Sequence, residues 1–248
     1  MLLEKRATLI SHAVTKGLDP KVPMKDSGVD WLGKIPAHWR MMRLKFCLFE
    51  IEQGWSPSCE NRPAEPEEWG VMKVGCVNGT EFNADEQKAL PLDMQPIPEL
   101  EIKPGDVLMS RANTRELLGS ASVVGKVRRR LLLCDKLYRL KVRPDVVNRV
   151  YLVLALGAAV ARFQMEREAT GASGSMQNIA QSTIWNLWLP LPEPHEQETI
   201  LDWLDDQTSK MDALIAKVRE AIDRLREYRT ALISAAVTGK IDVREEVA

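Results

Sequence analysis

Residues 195–237 read HEQETILDWLDDQTSKMDALIAKVREAIDRLREYRTALISAAV, and the reading of this stretch decides the fold. Leu204, Met211, Val218, Leu225 and Leu232 fall on a strict heptad. Leu201, Thr208, Ile215, Ile222 and Arg229 precede them by three residues each. Two such interleaved rows form an a/d seam, and Asp205, Asp212, Arg219 and Arg226 surround it with charge, so the spacing predicts a coiled-coil helix. Residues 196–237 would extend roughly 63 Å as a helix. Pro192 and Pro194 lead in, Glu193, Glu196 and Glu198 crowd the first turns, and Gly239-Lys240 closes the segment. A seam this regular asks for a partner helix of similar length; the plainer alternative is an amphipathic helix packed on its own domain.

The end of that helix is repeated at the start of the chain. LLEKRATLISHAVTKGLD (2–19) aligns without gaps on LREYRTALISAAVTGKID (225–242), with ten of eighteen positions identical and the Lys16-Gly17 pair transposed to Gly239-Lys240. The chain thus reads as one period of a two-period architecture. Apolar spacing in Leu2, Leu3, Leu9, Ile10, Ala13 and Val14 predicts a short amphipathic helix over residues 2–15.

Residues 20–190 lie between the copies. Turn-rich sequence alternates there with short β-type runs, predicting strands near Val71–Val77, Asp106–Arg111, Ser122–Val127, Leu131–Val142 and Ile184–Leu189. A helix is predicted over Val146–Arg167, and GASGSMQN (171–178) reads as a flexible polar loop ending at a helix start. The whole is a mixed α+β domain followed by the long helix.

Composition narrows the function. Hydrophobic content of 45% and charged content of 28% suit a globular protein, and a formal net charge of −1 advertises no nucleic acid by itself. The distribution is uneven. Residues 50–100 carry three basic against eleven acidic side chains, whereas residues 101–150 carry twelve basic against five acidic. That basic stretch is either a binding field or a solvated face. Cys47, Cys59, Cys76 and Cys134 have no CxxC spacing, and His12, His38 and His195 have no paired spacing, so no metal site is expected. Free thiols suggest a reducing cytoplasm. The N-terminus is too short in apolar run for a signal peptide, and Val150–Val160 is too short to span a bilayer. No P-loop, HExxH or S-adenosylmethionine loop is present, so no cofactor and no catalysis are expected.

Four stretches carry a resemblance: GVDWLGKIPAHW (28–39), KPGDVLMSR (103–111), GSMQNIAQSTIWNLWLPLPEPHEQETILDWLD (174–205) and LREYRTALISAAVTGKID (225–242). Through them the chain resembles the specificity subunit (HsdS) of type I restriction–modification systems. The resemblance implies a tail of a preceding spacer helix (1–19), a target recognition domain (20–190), a long spacer helix (191–240) and a tail (241–248). It implies double-stranded DNA as ligand, a methyltransferase subunit (HsdM) and a restriction–translocase subunit (HsdR) as partners, and chemistry carried by those partners. The family's subunit alternates two recognition domains with two long helices. This sequence holds one recognition domain and one complete long helix, which points to self-association through the seam residues Leu204, Met211, Ile215, Val218, Ile222, Leu225 and Leu232. A coiled-coil scaffold or fragment without DNA binding of its own is the competing reading.

Base reading needs donors and acceptors on loops, with Lys and Arg on phosphates setting the register. Two segments fit. In Ser110–Arg115, Arg111 or Arg115 suits a guanine and Asn113 an adenine, against the alternative of a polar turn. In Ser173–Asn178, Ser173, Ser175, Gln177 and Asn178 accompany a glycine that permits close approach, against the alternative of a helix-capping loop. Lys126 and Arg128–Arg130 are phosphate contacts or a solvated turn; Trp55 and Asn78-Gly79-Thr80 are further loop candidates. Trp31, Trp39, Trp185 and Trp188 read as core.

Overall fold

The computed structural model describes residues 2–29, 31–79, 81–173 and 176–241. In chain order come α1 (Leu2–Lys16), β1 (Met24–Asp26), β2 (Lys34–Pro36), β3 (Arg40–Arg43), β4 (Leu48–Gln53), β5 (Gly70–Met72) and β6 (Gln87–Ala89). Then follow β7 (Val107–Ser110), β8 (Ala112–Asn113), β9 (Ala121–Val123), β10 (Leu131–Leu132), β11 (Leu137–Val142), α2 (Arg149–Gly157) and α3 (Ala159–Glu168). The chain ends with β12 (Thr170–Ser173), β13 (Met176–Asn178), α4 (Gln181–Asn186), β14 (Trp188–Leu191) and α5 (Pro194–Val237). The fold is α+β. The chain divides into two compact units, Ala7–Asp202 and Met1–Arg6 with Trp203–Ala248.

In the larger unit the main sheet runs β4-β11-β7-β9, each neighbour antiparallel. β11 is central because LYRLKV is buried along nearly its whole length. A second sheet runs β10-β5-β6, and its buried side chains, Val71, Met72 and Leu131, share a core with Leu108, Leu132 and Leu137. Residues 60–68 and 128–130 meet over this core. Arg62 pairs with Glu68 at 2.6 Å and Arg130 with Glu67 at 3.1 Å, while Arg128 donates to the carbonyls of Pro66 and Glu68. The hydrogen bond from Arg62 holds the Glu68 carboxyl down at about 2. The sequence's acidic and basic stretches therefore neutralise each other locally, and Arg128 and Arg130 anchor a loop.

Several elements differ from the periodicity reading. The run expected over Val71–Val77 is a strand to Met72 and a 3-10 turn from Val74. Leu131–Val142 is broken by a turn in which Leu137 N–H donates to the Cys134 carbonyl. The single helix expected over Val146–Arg167 is two. Asn148 caps the first by accepting from Val150 and Tyr151 N–H, and extended Ala158 separates them after Gly157, a poor helix former. Ile184–Leu189 is not a strand: α4 buries Ile184, and pairing begins only at Trp188 opposite Arg43. Within GASGSMQN the described residues 171–173 and 176–178 are not loop, because β12 and β13 pair antiparallel, while residues 174 and 175 lie outside the described residues.

The ends of both long-range helices are fixed by the larger unit's own chemistry. Pro194 opens α5, where its missing N–H costs nothing. Glu196 accepts from Trp39 Nε1 at 3.0 Å and meets His38 Nε2 at 2.8 Å. Gln197, fully buried, accepts from Asn148 N–H at 2.8 Å and donates to the carbonyls of Val146 and Pro192, both at 3.0 Å. Ala13 and Val14 of α1 are buried, and Tyr151 Oη donates to the Val14 carbonyl. Gly17, at φ +78°, stops α1 by donating to Ala13. In the second copy of the repeat, Gly239 at φ +68° donates to Ala236 and Lys240 to Ala235, a Schellman stop. The transposed Gly-Lys pair moves that stop by one aligned position.

Gln197 gives a direct test. Gln197→Leu keeps much of the volume but strips the half-buried Asn148 N–H and Val146 carbonyl and the buried Pro192 carbonyl of their partner. It is expected to cost about 2 kcal/mol in urea unfolding. A loss below about 0.5 kcal/mol would show that these backbone groups find other partners.

In the smaller unit, Arg6 pairs with Asp212 at 3.6 Å. Leu204 is buried and Met211 and Ile215 are half-buried, but Val218, Ile222, Leu225 and Leu232 are 43%, 43%, 66% and 40% exposed. Leu214, Tyr228 and Ile233 are exposed beside them, so the apolar stripe is wider than the heptad seam alone.

Candidate nucleic-acid interface

The two polar segments singled out in the sequence become neighbours. β8 and β13 pair antiparallel, with Gln177 opposite Asn113 and Asn178 opposite Ala112. β12 completes this small sheet, and Gly171 at φ +137° lets the hairpin close, since a Cβ there would strike the Met176 carbonyl. Arg111 sits at the joint between β7 and β8. Its N–H donates to the Lys136 carbonyl at 2.8 Å, its Nη1 reaches the Asp135 carbonyl at 3.4 Å, and its own carbonyl accepts from Ile179 N–H. Tyr138 Oη donates to the Ile179 carbonyl, which ties this small sheet to the centre of the main sheet.

The side chains take different roles. Asn113, expected to meet an adenine, is only 8% exposed: its amide donates to Asn78 Oδ1 at 2.8 Å and its Oδ1 accepts from Thr114 N–H. Internal bonds consume that amide, so in this geometry it presents exposed Asn78 rather than itself. Arg115 is exposed and pairs with Glu166 at 3.4 Å. Gln177 and Asn178 are half-buried, and Gln177 Oε1 has no hydrogen-bond partner among the described residues. Ser175 and Thr80 lie outside the described residues, as does the Ser173 side chain.

Lys126 is exposed but placed elsewhere. Val123 pairs with Val107 and Ala121 with Met109, so Lys126 lies beyond the Val107 end of β7 and Arg111 beyond the opposite end. Trp55 leans on the core and donates its N–H to the Leu133 carbonyl. Trp39 is core, whereas Trp31, Trp185 and Trp188 are half-buried. Trp31 lies 5.4 Å from Phe163, and the Arg43 guanidinium sits 4.9 Å over Trp188. His195 is exposed. Sequence reading missed Gln53, whose amide reaches the Asp135 carbonyl at 3.4 Å beside Arg111, because nothing local distinguishes it from any strand-end glutamine.

Among the described residues no group of three or more His, Cys, Asp or Glu is placed to hold a metal ion, and no helix is long and apolar enough to cross a membrane. The arrangement brings the Gln177 and Asn178 amides on β13 and the Arg111 guanidinium at the β7–β8 joint to one small sheet.

No protein-family model matches the chain. It is similar to the specificity subunit of the type I restriction enzyme EcoEI of Escherichia coli, 27% identical over 235 residues, which is 94% of this chain and 39% of that protein. The EcoBI specificity subunit of Escherichia coli is 26% identical over 110 residues, 44% of this chain and 22% of that protein. Among solved structures, the HsdS subunit from Thermoanaerobacter tengcongensis shares the fold with a TM-score of 0.55 and 21% identity, over 97% of this chain and 51% of that one. A chain from a structure describing complex assembly and conformational transition of the type I R-M system matches with a TM-score of 0.61 and 21% identity, over 95% and 53%. The chain spans about half the length of those solved chains and less of the EcoEI subunit.

Proposed function

We propose that this is an HsdS-type chain and that its residues 20–190 read one half of a bipartite sequence in double-stranded DNA. The observation that carries the reading is the register of β8 against β13. It sets Gln177 and Asn178 against β8, with Arg111 at the joint just before β8 and Asn78 presented beside them. In this reading Arg111 and Arg115 address guanine or phosphate, and Gln177 and Asn178 supply the amide groups that pair with adenine.

The chain itself makes and breaks no bonds. It positions an HsdM-type methyltransferase subunit, and in the full complex an HsdR-type restriction subunit, in the cytoplasm where the DNA lies. It reaches the second half-site by pairing the exposed apolar stripe of α5 with that of a second copy, so an isologous dimer reads an inverted repeat. The rival reading, a coiled-coil scaffold without DNA binding, draws support from Arg128 and Arg130, which the 64–68 loop already occupies.

Co-expression with a type I methyltransferase subunit, followed by methylome sequencing, tests the proposal. The expected result is a split, symmetric adenine-methylated motif, and Arg111→Ala should relax one position of it at a cost of about 2 kcal/mol in binding. No methylated motif, together with no salt-dependent duplex binding, would leave the scaffold reading standing.

A further inference from the structure

We propose that a lysine-rimmed cleft beside the reading sheet holds a backbone phosphate of the DNA duplex. The inference rests on the DNA-reading function above and adds a register-setting site to it. The cleft has a volume of about 360 Å³ and is lined by Cys59, Val71, Lys73, Lys88, Cys134 and Lys136, with Asp135 as its single acid. Its floor is apolar, since Val71 and Cys134 are buried. Lys73 is tied to Glu86 at 2.7 Å. Lys88 and Lys136 have no ion pair among the described residues, and both are half-buried. Two lysines without an ion pair thus line one concavity, and an anion bound there would balance both charges.

The position of the cleft says which anion. Its wall is the 134–136 turn, and the same turn accepts from Arg111 N–H, Arg111 Nη1 and Gln53 Nε2. A group bound by Lys136 is therefore one peptide away from the joint that sets Arg111. Phosphate contacts of this kind fix where a duplex sits, and base-edge groups then read it. Lysine, a compact point charge on a flexible stem, suits a phosphodiester that must be held without reporting sequence. None of these lysines stands out along the chain, because three strands and a turn have to fold before they face one another.

Cys59 is a built-in reporter. It lines the cleft and is half-buried, whereas Cys47, Cys76 and Cys134 are buried. Burial pushes its thiol up, with Lys88 acting in the opposite direction, so its labelling by a small disulfide reagent is slow at neutral pH and speeds up as pH rises. A mixed-sequence duplex at low salt should slow that labelling, and millimolar inorganic phosphate should not.

The deciding experiment is a salt titration of duplex binding by the full chain. Lys88→Gln with Lys136→Gln should weaken mixed-sequence binding about tenfold and reduce the slope of log affinity against log salt by about one to two. Lys103→Gln, at the Gly105 end of β7, should change neither. If the chain binds duplex and the double variant keeps affinity and slope, the phosphate site is refuted and the DNA-reading function stands. If the parent chain binds no duplex, both fall. Protection of Cys59 by inorganic phosphate as strong as by duplex would make the cleft a free-anion site and overturn the proposal.

Discussion

Arg139→Ala is expected to destabilise the larger unit by about 3 kcal/mol, lowering its thermal midpoint by roughly 10 °C. Arg139 sits on central strand β11 with its side chain only 3% exposed. Nε meets Glu52 on β4 at 2.6 Å, and Nη1 meets Asp106 before β7 at 3.1 Å. The remaining donors go to the carbonyls of Glu101 at 3.0 Å and Glu99 at 3.1 Å. One guanidinium thus ties three segments together, and Lys141 adds a second cation to Glu52 at 3.2 Å. Deleting it leaves two partly buried carboxylates and two carbonyls without their main partner, and the penalty comes from those orphans rather than from the pair's net attraction. Arg139→Lys should recover part of the loss, because an ammonium neutralises an acid but does not span all four acceptors. Exposed Arg129→Ala should stay within about 0.5 kcal/mol of the parent. If Arg139→Ala did the same, the acids would have to be reaching water freely, and the cluster would contribute nothing to the fold.

What was legible in the sequence follows from how local its cause is. Helix α5 was legible because a heptad repeats its signal five times and both ends carry stop residues. The α2–α3 break was not, because Ala158 turns extended in response to tertiary packing: Ser11 Oγ on α1 lies 3.4 Å from Ala159 N–H, as a distant cap. Strand Leu131–Val142 looked continuous because Leu133 and Cys134 are as apolar as a strand, yet they close the turn that faces Arg111. The two polar segments were visible as composition. Their pairing was not, since the register of Asn113 on Gln177 is set by a sheet assembled from remote pieces. Asn113 shows the same limit from the other side: a loop asparagine by type became a buried bracket for Asn78. The basic stretch reads as a binding field or a solvated face, and folding gives part of it a third role. Its arginines at 128, 130 and 139 answer acids and carbonyls from the preceding acidic stretch, so a charge gradient along the chain became charge balance in space.

Ile222→Asp with Leu225→Asp is expected to abolish self-association of the chain while leaving its helix content and the larger unit's thermal midpoint unchanged. Ile222 and Leu225 are 43% and 66% exposed. In a two-fold pairing each occurs twice, so four apolar side chains leave the seam at once and charge enters in their place. At about 1 kcal/mol for the exposed part of each, the loss is about 4 kcal/mol, or roughly a thousandfold in dissociation constant. Sedimentation equilibrium reads this directly. Exposed helix positions tolerate aspartate at a few tenths of a kcal/mol each, so circular dichroism should not move. The flanking pairs Lys210–Asp206 and Arg224–Glu220, both at 2.6 Å, are intrahelical and should persist in the variant. A parent chain that stays a monodisperse monomer at micromolar concentration would sink the pairing, and with it the inverted-repeat site. A variant that still dimerises would move the interface off the seam, onto some other face than the stripe of Val218, Ile222, Leu225 and Leu232.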